Sequence, residues 1–278
     1  MSKSVMKAAC VQMTSSANIE ENLTKAGSYI RQAALQGADF VATPENTCHM
    51  IFPLSKKRDI TPKAQEHPGV NYFSKVAKEL GITILAGSIA VRNEEDKMLN
   101  RSYLFGSDGK VISKYDKIHL FDANIGQGEV YKESDVITSG NEAVIARINE
   151  HFVAGMSVCY DLRFAHLYRD LAKAGANLMC IPSAFTMPTG RAHWEILLRA
   201  RAIETGSFVI APGQVGEHEG GRKTYGHSMI ISPWGRILAH QEEGEGIIIA
   251  DLDATEVQTS RAALPALTHD REYSIIKC

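Results

Sequence analysis

Nowhere among its 278 residues does this chain hold the roughly 18 consecutive apolar residues that a membrane-spanning helix requires. A formal net charge of -2 leaves no basic field for wrapping nucleic acid or gripping an anionic membrane, so neither is expected as a partner. The five cysteines are scattered and odd in number, which argues against a disulfide framework. No CxxC pair or Cys/His cluster has zinc-ligand spacing, so no metal site is expected. Residues 1–7 lead straight into strand-like sequence, without a charged segment backed by a long apolar one. Secretion is therefore not expected, and a reducing, cytoplasmic setting is. Repeats, low-complexity tracts and linkers are missing too, which favours one domain over residues 1–278. What remains, 44% hydrophobic and 22% charged residues, is ordinary for a globular protein.

Strand and helix signals alternate along most of the length. Residues 7–13 read as a strand, and Asn18 is a helix N-cap with Glu21 as its capping-box partner. Ile19, Leu23, Ala26, Ile30 and Ala33 then follow at helical spacing up to Gly37. Residues 39–43 form a short strand closed by Pro44, and residues 71–80 a helix stopped by Gly81. Strands are predicted at 83–91, 100–105, 111–114, 151–158, 178–182, 208–211, 227–232, 236–240 and 247–251. Helices are predicted after Cys159 and over 192–205, and residues 116–133 read as a long loop. Two helical blocks, each followed by paired strands, fit two sheets packed face to face with helices outside.

Three residues stand where α/β folds expose reactive groups, at the ends of strands. Cys159 closes the apolar run 151–158 and faces the start of a helix. Helix amides and a neighbouring cation there favour the nucleophilic thiolate, although the position also suits a cysteine packed as a small hydrophobe. Glu45 follows the strand at 39–43 among apolar residues that raise its proton affinity and suit it to acid/base work. A solvated loop glutamate is the plainer reading. Lys117 follows the strand at 111–114 and is able to stabilise a thiolate and an oxyanion, or simply to sit on the surface. None of the ten histidines stands out as the cysteine's partner.

Pro44-Glu45-Asn46, Tyr115-Asp116-Lys117-Ile118-His119-Leu120-Phe121-Asp122 and Val158-Cys159-Tyr160-Asp161-Leu162-Arg163-Phe164, in that order, resemble the nitrilase superfamily of carbon–nitrogen hydrolases. The resemblance spans almost the whole chain, to the Pro233-Trp234-Gly235 turn and beyond. It implies a four-layer α-β-β-α sandwich and a homodimer, with the C-terminal tail at the interface. It implies Cys159 as the nucleophile that forms a thioester, Glu45 as general base, and Lys117 with the Tyr160 amide as oxyanion stabilisers. Glu133 aligns with a second glutamate that positions substrate and lysine. No cofactor is implied.

Within the family, Pro182-Ser183-Ala184-Phe185, Ala192-His193-Trp194-Glu195, Arg199-Ala200-Arg201-Ala202-Ile203-Glu204 and Tyr225-Gly226-His227-Ser228-Met229 resemble the amidases of small carboxylated substrates. That branch includes deaminated glutathione amidase and, as the alternative, ω-amidase. The expected reaction is amide hydrolysis with release of ammonia. Ser183 and Phe185 are implied substrate contacts, while Met187, Pro188 and Arg191 depart from the pattern near the pocket wall. Arg163 is the first choice for a substrate carboxylate, unless it merely ties down the helix through an ion pair. Arg191 and Arg222 are further options for a larger acid. His193, Trp194 and His227 read as packing residues. A non-catalytic binding protein on the same fold and a thiol redox sensor remain the readings from other classes. The Gly126-Gln127-Gly128 segment is too short for a phosphate loop.

Overall fold

Alternating side chains in the strands divide the interior into two layers of core. In the strand Val5–Gln12, Ala8 and Cys10 face one way and Ala9 and Val11 the other, all buried. The computed structural model describes residues 4–125 and 130–278. Its helices are α1 (Ile19–Leu35), α2 (Leu54–Ile60), α3 (Pro68–Leu80), α4 (Ala165–Lys173), α5 (Met187–Thr205) and α6 (Ala254–Ala263). Among the described residues no helix is long and apolar enough to cross a membrane.

Two six-stranded sheets carry the fold. The first runs Gly246–Asp253, Val5–Gln12, Phe40–Ala42, Thr83–Arg92, Met98–Phe105, Val111–Asp116. The second runs Ile237–Gln241, Ser228–Ile231, Phe208–Ala211, Leu178–Cys180, Val153–Met156, Val144–Arg147. Each has three parallel strands at its centre and antiparallel neighbours outside. Helices α1 and α3 cover the first sheet through Leu23, Ala26, Ile30, Phe73 and Val76. Helices α4 and α5 cover the second through Leu167, Leu171, Trp194 and Leu198. Ala8, Cys10, Phe40 and Ala42 meet Met156, Leu178 and Ile230 in the core between the sheets. The result is the four-layer α-β-β-α sandwich.

Local chemistry sets the element ends. The Asn18 carboxamide accepts from the amides of Glu20 and Glu21 at 3.0 and 3.2 Å, and Gly81 ends α3 at φ 65°. The capping box is not reciprocal: Glu21 instead accepts the Ser16 hydroxyl at 3.1 Å. Helix α5 starts five residues earlier than the periodicity indicates, because Thr186 caps it and Pro188 suits a first turn. Helices α2 and α6 and the strand Val144–Arg147 have too weak a period to stand out in the sequence. The predicted loop at 116–133 holds a small hairpin, Asp122–Asn124 with Val130–Lys132, leading into a 3-10 turn at Glu133–Asp135. Gly126-Gln127-Gly128 lies outside the described residues.

Candidate active site

The parallel strands of both sheets end at the same side of the sandwich, and their last residues deliver the reactive groups. Beyond Phe40–Ala42, Thr43 binds its amide to Leu85 O at 3.0 Å, and the Glu45 carbonyl accepts from Gln214 Nε2 at 2.9 Å. Asn46 follows at φ 58°, a left-handed conformation that asparagine tolerates. Beyond Val153–Met156 the chain turns sharply at Cys159, whose φ is 52°, into the 3-10 turn Cys159–Arg163. The Cys159 amide binds Pro182 O at 3.0 Å, which ties that turn to the end of the neighbouring strand. Lys117 leaves Val111–Asp116 with its amide bound to Asn100 O at 3.0 Å.

These turns bring Glu45, Lys117, Glu133 and Cys159 together as lining of one cleft. All four are buried, with exposures of 3, 2, 8 and 7%. The Lys117 ammonium lies 3.0 Å from Glu45 Oε1 and 2.8 Å from Glu133 Oε2. Glu133 also accepts the Phe121 amide at 2.7 Å. The Cys159 thiol is close enough to the Glu45 carboxylate and the Ala184 amide for both to act on its proton. The Tyr160 amide is in the first turn of the 3-10 helix, where an N–H has no intrahelical acceptor.

Two electrostatic expectations are corrected. Burial pushes the Cys159 thiol up, and the Glu45 charge pushes further, against a smaller pull from Lys117 and the Ala184 amide. The resting group is therefore the thiol rather than the thiolate. Burial alone would raise Glu45, but Lys117, the Cys159 thiol and Arg222 together hold it below the ordinary carboxylate range. The carboxylate is thus charged and beside a proton it is able to take. Burial also works against the Lys117 proton, yet Glu133 first and then Glu45 hold it above the ordinary lysine range.

A second, narrow lobe opens from the same sulfur, lined by Phe121, Tyr160, Arg163, Phe185, Thr186 and Arg222 among others. Arg163 lies over the Tyr160 and Phe185 rings at 5.8 and 5.4 Å, with Nη1 3.2 Å from His193 Nδ1. It forms no ion pair among the described residues, so the helix-anchoring alternative is not what the structure contains. Ser183 departs from expectation: it does not line either lobe, and its hydroxyl donates to Ile181 O at 3.1 Å. Met187, Pro188 and Arg191 line an outer groove next to Arg222 and Tyr131. His227 stacks on Tyr225 at 3.9 Å, in a different groove.

The sequence reading missed several contributors. Asn100 Nδ2 donates to Glu45 at 2.9 Å and to Glu133 at 3.4 Å, holding the two carboxylates either side of Lys117. Asp161, fully buried, accepts from the Val158 amide, the Tyr115 hydroxyl and both the amide and Nδ1 of His119. Lys57, buried in α2, lines the cleft as well.

The comparisons with known proteins decide the family. The model of the family described as carbon-nitrogen hydrolase matches residues 7–262. The chain belongs to the carbon-nitrogen hydrolases. A member of this family from Synechocystis, the deaminated glutathione amidase, is 39% identical over 265 residues, 94% of this chain and 97% of its own. The human deaminated glutathione amidase is 36% identical over 95% of this chain and 81% of its own, and the omega-amidase of Pongo abelii 34% over 95% and 94%. The Nit3 crystal structure from Saccharomyces cerevisiae, a nitrilase-superfamily member, superposes with a TM-score of 0.87 at 30% identity, covering 98% of this chain and 99% of that one. The NitFhit structure from C. elegans gives 0.89 at 33% identity, over 98% of this chain and 66% of that one.

Proposed function

We propose that this carbon-nitrogen hydrolase is an amidase of small carboxylated amides, with deaminated glutathione as the preferred substrate and Cys159 as the nucleophile. The contact of Glu45 with both the Cys159 thiol and Lys117, inside one buried cleft, is the observation that carries the reading. As the sulfur attacks the amide carbon, Glu45 takes the thiol proton. The oxyanion that forms is held by Lys117 and the Tyr160 amide. The C–N bond then breaks, and Glu45 returns its proton to the departing nitrogen. A primary amide yields ammonia, as the sequence led us to expect; a secondary amide, such as those of deaminated glutathione, yields an amine. Water, losing a proton to Glu45, adds to the thioester, and the C–S bond breaks to give the acid and the thiol. Glu133 keeps Lys117 charged and oriented. The steps so written call for neither metal nor organic cofactor.

Tyr160, Arg163 and Phe185 are the proposed substrate contacts. The exposed Ile196 and Ile203 of α5, at 70 and 53%, favour a homodimer joined at that helix, with the exposed tail beyond α6 at its edge. A cytoplasmic location fits the same reading. The reading is tested by turnover of deaminated glutathione and of α-ketoglutaramate, each followed by its own product. Higher kcat/KM on the former supports the assignment. Higher kcat/KM on the latter moves it to ω-amidase, and no turnover of any amide favours a binding protein.

A further inference from the structure

The cleft holds more positive charge than its own carboxylates neutralise. Lys117 is matched by Glu45 and Glu133, but Lys57 and Arg222 line the same cleft and form no ion pair with any described residue. Lys57 is 2% exposed, and its ammonium donates to Asn46 Oδ1, leaving donor capacity unused. Arg222 spends Nη2 on Ala184 O at 2.6 Å, while its Nε is shut off from solvent without an acceptor. The guanidinium is clamped between Phe52 and Tyr131, at 4.8 and 4.9 Å from the ring centres. Its loop is pinned beside α2 by the Phe52 amide, which donates to Glu219 O at 3.0 Å.

A buried lysine with only a neutral partner, next to an arginine with an orphaned N–H, is unfavourable until a counter-charge arrives. Arg222 also borders the second lobe, so an anion held there lies within reach of substrates in either direction from Cys159. We propose that Lys57 and Arg222 form an anion subsite that binds a carboxylate of the amide substrate. This rests on the amidase reading and names the groups that recognise the acid, with Arg163 left to the second lobe.

Two substrate pairs locate that carboxylate: succinamate against butyramide for the acyl side, and N-butyrylglycine against N-ethylbutyramide for the amine side. In the wild type the acid of one pair is preferred. In Lys57→Met and in Arg222→Gln that preference falls about 10–100-fold, the size expected for a lost charge-assisted hydrogen bond, and Lys57→Arg restores part of it. Equal losses on acid and neutral amide in both pairs overturn the subsite. Calorimetric binding of glutarate reads the subsite independently of turnover. At least 10-fold weaker binding in both variants supports it even if no amide is hydrolysed, and unchanged binding overturns it.

Discussion

The Tyr115 hydroxyl donates to Asp161 Oδ2 at 2.7 Å, joining the strand that delivers Lys117 to the turn that presents Cys159. Asp161 Oδ2 also takes the Val158 amide at 2.8 Å, and Oδ1 takes the amide and ring of His119 at 3.0 and 2.7 Å. One buried carboxylate thus fixes both halves of the site. In Asp161→Asn one oxygen becomes an NH2 facing two donors. A loss of about 3 kcal/mol of stability is expected, measured by urea unfolding. Below the onset of melting, kcat falls about 10–100-fold with KM little changed, because the geometry of the reacting groups is what slackens. Wild-type kcat in the folded variant contradicts this positioning role.

Glu45 carries the acid side of the pH profile. Its carboxyl is held below 4.5, so the base is ionised throughout the neutral range and activity fails only as pH drops through that depressed value. The sign for folding is the same: its charged-form interactions stabilise above the unfolded pKa and are lost on acidification. Because the thiol is raised above 9.0 and hands its proton to an already ionised Glu45, the reacting thiol–carboxylate pair stays the same up to that pH. For a neutral amide, kcat/KM is expected to be flat from about pH 6 to 9, with the triad titrating as one set. Glu45→Gln is expected to lose about 100- to 10,000-fold in kcat. A rate that climbs tenfold per pH unit across that window contradicts base catalysis by Glu45.

Lys57 is expected to trade stability for function. Burial, only partly offset by Glu45 and Glu133, brings its pKa down from 10.5 to about 8. Between those values the unfolded chain binds the extra proton, so stability rises with pH there, and the charged form is a burden below about pH 8. Lys57→Met is therefore expected to be more stable than wild type by up to about 3 kcal/mol at pH 7. The gain fades as pH climbs toward 10.5, as denaturant unfolding at a series of pH values will record. A destabilised variant at pH 7 contradicts this.

Much of the fold was legible because its markers are local: the Asn18 cap, the Gly81 stop and the period-two strands need no distant partner. Glu45, Lys117 and Cys159 were legible for the same reason, each standing just past a strand. Lys57 was not, since Ser55-Lys56-Lys57-Arg58-Asp59 reads as a solvated charge run. Its ammonium instead turns inward to Asn46 Oδ1, in a cleft that Arg222 lines from a distant part of the chain. Asn100 and Asp161 likewise take their roles from partners on other elements. The depressed Glu45 runs against its apolar neighbours because Lys117, Cys159 and Arg222, brought in from other elements, together outweigh burial.

Ser183 shows the opposite failure, a residue named from family likeness whose hydroxyl turns back to its own strand end. Ser183→Ala is expected to cost about 1 kcal/mol of stability and to leave KM within about twofold. A rise in KM of tenfold or more, in steady-state assays, would restore it to the substrate-binding surface.

The most direct test is a rapid-quench mass spectrum of the protein mixed with its amide substrate. An added acyl mass on the peptide bearing Cys159, absent in Cys159→Ala and decaying as product appears, is the expected result. Full turnover by Cys159→Ala, or an acyl adduct found on another peptide and not on the one bearing Cys159, contradicts thioester chemistry at this site.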